Sequence, residues 1–293
     1  VELIVSQVFS GLVRASLYFL VTSGLTLLFG VVGTLNMAHF SLYMIASYFT
    51  WTFHYCLMEY SFAVWAAFLC SAAVMAVLGL VIEKVIMRHL YERQLGDQLL
   101  TTFAMVYILD DLTKIVWGSS PLFVSRPDIL TAIVGVGPVS FPASDIFVLL
   151  LGLASGIATW YLLARTRTGR ILRAAYSYKE MLPALGIPIH RTYMGIFVLS
   201  VILASIAGSA WTMMGMVDLG QAHSLLIESF CVMVIGGMGS FVGTALSAVI
   251  CGLTYSFAIL YVPKIATLLI FALAGIILIV RPWGLMGQAG RLH

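Results

Sequence analysis

Asn36, the sole asparagine of the sequence, stands just ahead of His39 in the stretch Gly30-Val-Val-Gly33-Thr34-Leu35-Asn36-Met37-Ala38-His39. An amide there has two uses. It can line a polar path, or it can cap a helix that starts near Met37. His39 is a candidate for the same path, its imidazole expected to hydrogen-bond structurally rather than to carry protons. A second stretch, Gly236-Gly237-Met238-Gly239-Ser240 followed by Gly243, is dense enough in glycine to break a helix and free backbone groups for a solute. Glu228 lies in apolar surroundings with no partner nearby in sequence, which makes it a candidate for the same path. Asp110 and Lys114, four residues apart, are expected to pair on one helical face.

Catalytic chemistry finds no support in these residues. No H-E-x-x-H occurs, and Gly239-Ser240 lacks the flanking pattern of a G-x-S-x-G elbow. Asp110 and Asp111 are adjacent, so on a helix they point about 100° apart instead of converging. No phosphate-binding G-x-x-x-x-G-K-[ST] loop is present, so ATP hydrolysis by that route must come from another chain. Cys56, Cys70, Cys231 and Cys251 sit singly in or beside apolar segments, and neither a disulfide nor a metal framework is expected.

The elements that hold these residues follow from composition. Of 293 residues, 61% are hydrophobic and 9% charged, with a mean hydropathy of +1.06. A water-soluble domain carries about 25% charged residues. The chain must therefore face lipid over most of its surface. Its net charge of +3 leaves no basic stripe for nucleic acid. Stretches such as 146–163 and 265–280 are apolar on every face, which suits helices and not the alternation of a membrane β-barrel.

Apolar runs cover 8–32 (interrupted by Arg14), 37–57, 62–82, 99–117, 146–164, 193–217, 225–262 and 265–280. The sequence thus predicts an all-α, polytopic bundle of about eight transmembrane helices, some broken or re-entrant, in one domain over 1–293. No signal-peptide cleavage site is apparent. Lys84, Arg88 and Arg93 form one basic loop. Arg165, Arg167, Arg170, Arg173, Lys179 and Arg191 form another. Two helices separate these loops, so both belong on one side, and the positive-inside rule makes it cytoplasmic. The Pro-rich stretch 119–142 then faces outward. Arg281 and Arg291 place the C-terminus inside, which favours a single broken crossing or a re-entrant excursion for 225–262 over a full hairpin.

Several stretches resemble the branched-chain amino acid permease family of ABC importers. They are Gly24-Leu25-Thr26-Leu27-Leu28-Phe29-Gly30 with Leu35-Asn36-Met37-Ala38-His39, then Gly169-Arg170 with Lys179-Glu180 and Leu185-Gly186-Ile187. Val234-Ile235-Gly236-Gly237-Met238-Gly239-Ser240 and Arg281-Pro282-Trp283-Gly284-Leu285 complete the set, in family order along nearly the whole chain. The resemblance implies a multi-pass subunit of the bacterial cytoplasmic (inner) membrane that imports branched-chain or other neutral amino acids. Members of the family also carry urea, short amides and aromatic acids. An ion-coupled transporter is the rival class, and it gives no reason for the docking-like loop. Implied partners are cytoplasmic ATPases holding ATP and Mg, a second permease subunit, and an extracytoplasmic solute-binding protein, with no cofactor on this chain. The resemblance also assigns ATPase docking to Lys179, Glu180, Ala184, Leu185, Gly186 and Ile187, within the cytoplasmic segment 165–191.

Overall fold

A computed structural model describes residues 2–60, 62–136, 139–177 and 186–287. Helices form because backbone groups in hydrocarbon must be satisfied within their own segment. In chain order they are α1 (Glu2–Val32), α2 (His39–Leu57), α3 (Ala63–Ile82), α4 (Leu95–Trp117) and α5 (Ala143–Arg165). They continue with α6 (Arg167–Ser177), α7 (Ile189–Thr212), α8 (Gln221–Gly236), α9 (Phe241–Tyr261) and α10 (Ala266–Val280). A π-helical turn, Glu83–Met87, and a helical turn, Arg88–Leu90, prolong α3. Among the described residues the one sheet is an antiparallel hairpin in the Pro-rich stretch, β1 (Ile133–Val136) with β2 (Val139–Pro142).

Six helical stretches among the described residues are long and apolar enough to cross a membrane. They comprise α1, α3 with its extension, α5, α7, α9, and α10 with the turn before it. α2 and α4 have 19 and 23 residues but more polar side chains, and α8 has 16. The expected all-α polytopic bundle is the observed fold.

Side-chain contacts establish how the helices run. Ser256 donates to the Gln7 carbonyl at 2.7 Å and Thr26 bonds Thr244 at 2.9 Å, so α1 and α9 are antiparallel. Phe9 meets Phe141, while Ser16 and Phe19 meet Gly152 and Gly156, so α1 and α5 run together. Thr50 bonds Ser209 at 2.7 Å and His39 lies 3.3 Å from Ser200, which makes α2 and α7 parallel. Ser71 against Ser205, with Gly79 against Val201, sets α3 antiparallel to α7. The basic loops consequently share one end of the bundle, called here the basic end. The Pro-rich stretch lies at the other.

The region 225–262 departs from expectation. Ser247 donates to the Val232 carbonyl at 2.6 Å, and Gly236 packs on the backbone of Gly243. α8 and α9 are therefore an antiparallel hairpin, not a single broken crossing. With α10 included, the hairpin is what returns Arg281 to the basic end.

Both glycine-marked breaks are real. At the first, Gly33 takes φ +80° and residues 33–38 are non-helical before α2. His39 bonds Val21, which lies about 16 Å back along α1 from its end at Val32. The chain thus climbs back beside α1, and α2 starts well inside the bundle. At the second, Gly237 and Gly239 take φ +97° and +89°. The tail after α10 covers this turn: Leu285 N–H donates to the Ile235 carbonyl at 2.8 Å and Met286 N–H to Gly236 at 3.1 Å.

A Cβ on Gly237 would lie 2.5 Å from the Gly287 nitrogen, in a left-handed conformation that side chains disfavour. Gly237→Ala is expected to destabilise the protein by about 2–4 kcal/mol, read as thermal unfolding in detergent. Gly275→Ala, facing open space within α10, should leave the unfolding midpoint unchanged or slightly raised.

Candidate functional site

Asn36 ends up buried at the first break, with 1% exposure. Its Oδ1 accepts from Ala38 N–H at 3.1 Å, closing a local turn ahead of α2. Its Nδ2 finds no hydrogen-bond partner among the described residues. Thr102 of α4 donates to the neighbouring Leu35 carbonyl at 3.4 Å. His39, fully buried, contacts the Val21 carbonyl through Nε2 at 2.9 Å and Ser200 through Nδ1 at 3.3 Å. Both ring nitrogens are engaged, and the imidazole ties α1, α2 and α7 together.

At the second break Ser240 serves as the N-cap of α9. Its Oγ accepts from Gly243 N–H at 3.1 Å. Gly236 and Gly237 are buried beneath the C-terminal tail, and Gly239 is half-buried. Thr26, near the end of α1, bonds Thr244 at the start of α9, so one side-chain contact bridges the neighbourhoods of the two breaks.

Glu228 does have a partner, distant in sequence. Arg14 Nη2 lies 3.0 Å from its Oε2, and Tyr18 OH donates to the same oxygen at 2.5 Å. Arg14 also donates to Tyr18 OH at 3.1 Å and stacks 4.2 Å from the Tyr255 ring centroid. Charge inside a membrane is costly unless it is paired. Here the pair joins α1 to α8, with the α9 tyrosine against it. The sequence held a signal for this pairing: Arg14 and Glu228 are isolated opposite charges in two otherwise apolar runs.

The expected Asp110–Lys114 pair does not form among the described residues. Asp110 instead accepts from Ser41 Oγ at 2.8 Å and lies 3.9 Å from His223 Nδ1. Tertiary packing outcompetes the in-helix partner, because α2 lies against that face of α4 while Lys114 points outward. Nearby, Gln221 Nε2 donates to Ser47 Oγ at 2.5 Å. These residues make a polar seam where α2, α4 and α8 converge, with the His223 side chain 60% exposed at its edge. Sequence reasoning missed the seam because its members lie in three distant segments. Lys179, Glu180, Ala184 and Leu185 lie outside the described residues. Gly186, at φ +72°, and Ile187 precede α7 at the basic end, and neither is helical.

No group of three or more His, Cys, Asp or Glu among the described residues could hold a metal ion. What the bundle offers is broken helices, polar side chains spent on joining them, and one polar seam. That combination suits a conduit. The family model for the branched-chain amino acid transport system permease component matches residues 7–281. The chain belongs to this permease family.

Relatives of this permease match over nearly the whole chain. The high-affinity branched-chain amino acid transport system permease protein LivH of Escherichia coli K12 is 25% identical over 302 residues, covering 96% of this chain and 95% of that one. LivH of Salmonella typhimurium and the BraD permease protein of Pseudomonas aeruginosa are each 26% identical, with the same coverage. No solved structure matches the permease.

Glu228→Ala would leave Arg14 uncompensated, and with Arg14 still 26% exposed the expected loss is about 2–3 kcal/mol. Replacing both by Leu should restore more than half of that loss in thermal unfolding. An additive double variant would show that the pair contributes nothing as a pair.

Proposed function

We propose that this chain is the membrane-spanning subunit of a binding-protein-dependent ABC importer, moving a branched-chain or other neutral amino acid inward. The match to the permease family from residue 7 to 281 carries this reading. Relatives named as high-affinity branched-chain amino acid permeases support the substrate class. The chain lacks a phosphate-binding loop, so the energy comes from a partner ATPase that binds ATP and Mg. The basic end faces the cytoplasm by the positive-inside rule, and α8 and α9 meet there at their glycine turn.

In this reading the two breaks serve alternating access. Helices interrupted at 33–38 and 237–240 can tilt about their non-helical joints without tearing a hydrogen-bonded ladder. The solute passes between this subunit and a second permease, along a path that Asn36, His39, Glu228 and the glycine turn lie near. Docking of the ATPase on the segment 177–187 drives the tilt.

Single cysteines at Ala38 and Ser240 report the motion. Ala38 is fully buried and Ser240 half-buried in the present conformation. Labelling with a water-soluble maleimide should change at least about fivefold between nucleotide-free and nucleotide-trapped complexes. Labelling that is equal in both states would remove the breaks from the mechanism. Separately, Glu180→Lys should abolish co-purification of the ATPase or uncouple its hydrolysis from transport. Unchanged, coupled activity in that variant would discard the docking role.

A further inference from the structure

Three clefts at the basic end share lining residues and so adjoin one another. The first, about 440 Å³, lies between α5, α6 and α7 and is walled by Leu162, Leu172, Val198, Leu199 and Ile202. It ends at Pro188 and Arg191. Those two residues also open the second cleft, about 300 Å³, which extends to Glu83 and Lys84 on the π-helical turn that prolongs α3 and to Arg88 just after it. Arg88 and His190 are shared in turn with a third, about 480 Å³, that adds His89, Glu92 and Arg93. A hydrocarbon-lined slot thus leads into a cationic bowl where helices of a membrane protein meet the aqueous phase.

The charges in this bowl are poised rather than spent. Lys84, Arg88 and Arg191 are exposed, and none forms an ion pair with a described residue. Glu83 is 2% exposed, and its Oε1 has no hydrogen-bond partner among the described residues. In the second cleft three cations surround one carboxylate, and with Arg93 and Glu92 the bowl holds four cations against two carboxylates, an excess that favours an anionic group. The unused carboxylate oxygen favours a donor beside that group.

We propose that this composite cleft binds one phospholipid whose headgroup carries hydrogen-bond donors next to its phosphate, of the glycerol or ethanolamine type. An acyl chain fills the slot between α5, α6 and α7. The phosphodiester sits on Arg88 and Arg191, and Glu83 accepts from the headgroup hydroxyl or ammonium. A bilayer supplies such an amphiphile at this depth, and basic pockets between membrane helices are suited to lipid headgroups. A protein partner arriving from the aqueous side would meet the bowl but leave the apolar slot empty, which is why a lipid fits the two parts better.

The test uses the permease as purified with whatever subunits accompany it, delipidated in mild detergent and offered phosphatidylglycerol, phosphatidylethanolamine or phosphatidylcholine of identical chains. Native mass spectrometry reads the bound lipid. Retention of the glycerol and ethanolamine lipids should exceed that of the choline lipid by about fivefold or more. Arg88→Ala combined with Arg191→Ala should lower phosphatidylglycerol retention by about tenfold, and Lys264→Ala, at the opposite end, should not. If the double variant aggregates, Arg191→Gln with an intact gel-filtration profile carries the same comparison. Equal retention of all three lipids, or unchanged retention in the Arg variants, overturns the proposal. So does loss of an accompanying ATPase from the Arg variants with lipid retention intact, which would give the rim to a protein interface. None of these readouts depends on transport, so the lipid site and the importer reading fail separately.

Discussion

Every unusual feature of this bundle follows from one constraint: a backbone N–H or carbonyl released inside a membrane must find a partner within the protein. An unpartnered group there costs several kcal/mol. The chain releases such groups at two places. At the turn after α8, the carbonyls of Ile235 and Gly236 take the N–H groups of Leu285 and Met286 from the C-terminal tail. At 33–38, the Asn36 side chain closes on Ala38 and Thr102 reaches the Leu35 carbonyl. Glycine at 237 and 284 is what lets the tail approach, since a Cβ on Gly284 would lie 2.5 Å from the Gly237 nitrogen. Two sequence motifs far apart along the chain are thereby halves of one structural joint.

Polar side chains in the interior serve mostly as cross-links. His39 joins three helices, Thr26 meets Thr244, Thr50 meets Ser209, and Arg14 meets Glu228. Between helices in lipid there is little hydrophobic driving force, so close packing and hydrogen bonds carry the association. The approach of Gly152 and Gly156 to Ser16 and Phe19 is the packing counterpart. The polar seam of Asp110, Ser41, Gln221 and His223 differs, because its edge is exposed instead of sealed. A charged and titratable edge on a bundle of this hydropathy suits a partner subunit or a water-filled path better than lipid.

The proposed alternating access rests on the broken helices. A continuous helix can move only as a rod, or bend at the expense of its hydrogen bonds. α2 starts deep in the bundle and α8 ends on a glycine turn, so each has a free end whose bonds are local or made to the tail. Small rigid-body displacements can then open or close the space beside them.

The sequence by itself determined that the chain is helical and spans a membrane, because lipid exposure demands apolar residues and self-satisfied backbone. It also determined where the helices break, because Gly33, Gly237 and Gly239 stand at the positive φ values that glycine adopts most readily. Three of the stretches that carry the family resemblance, 35–39, 234–240 and 281–285, coincide with these joints. Tertiary structure alone decided the rest. It turned 225–262 into a hairpin, because Gly236 and Gly243 permit two backbones to touch, a contact that hydropathy does not encode. It paired Glu228 with Arg14 and gave Asp110 to Ser41 instead of Lys114, because partners inside a bundle are chosen by which helix faces meet in space, and spacing along one helix offers no more than a local alternative.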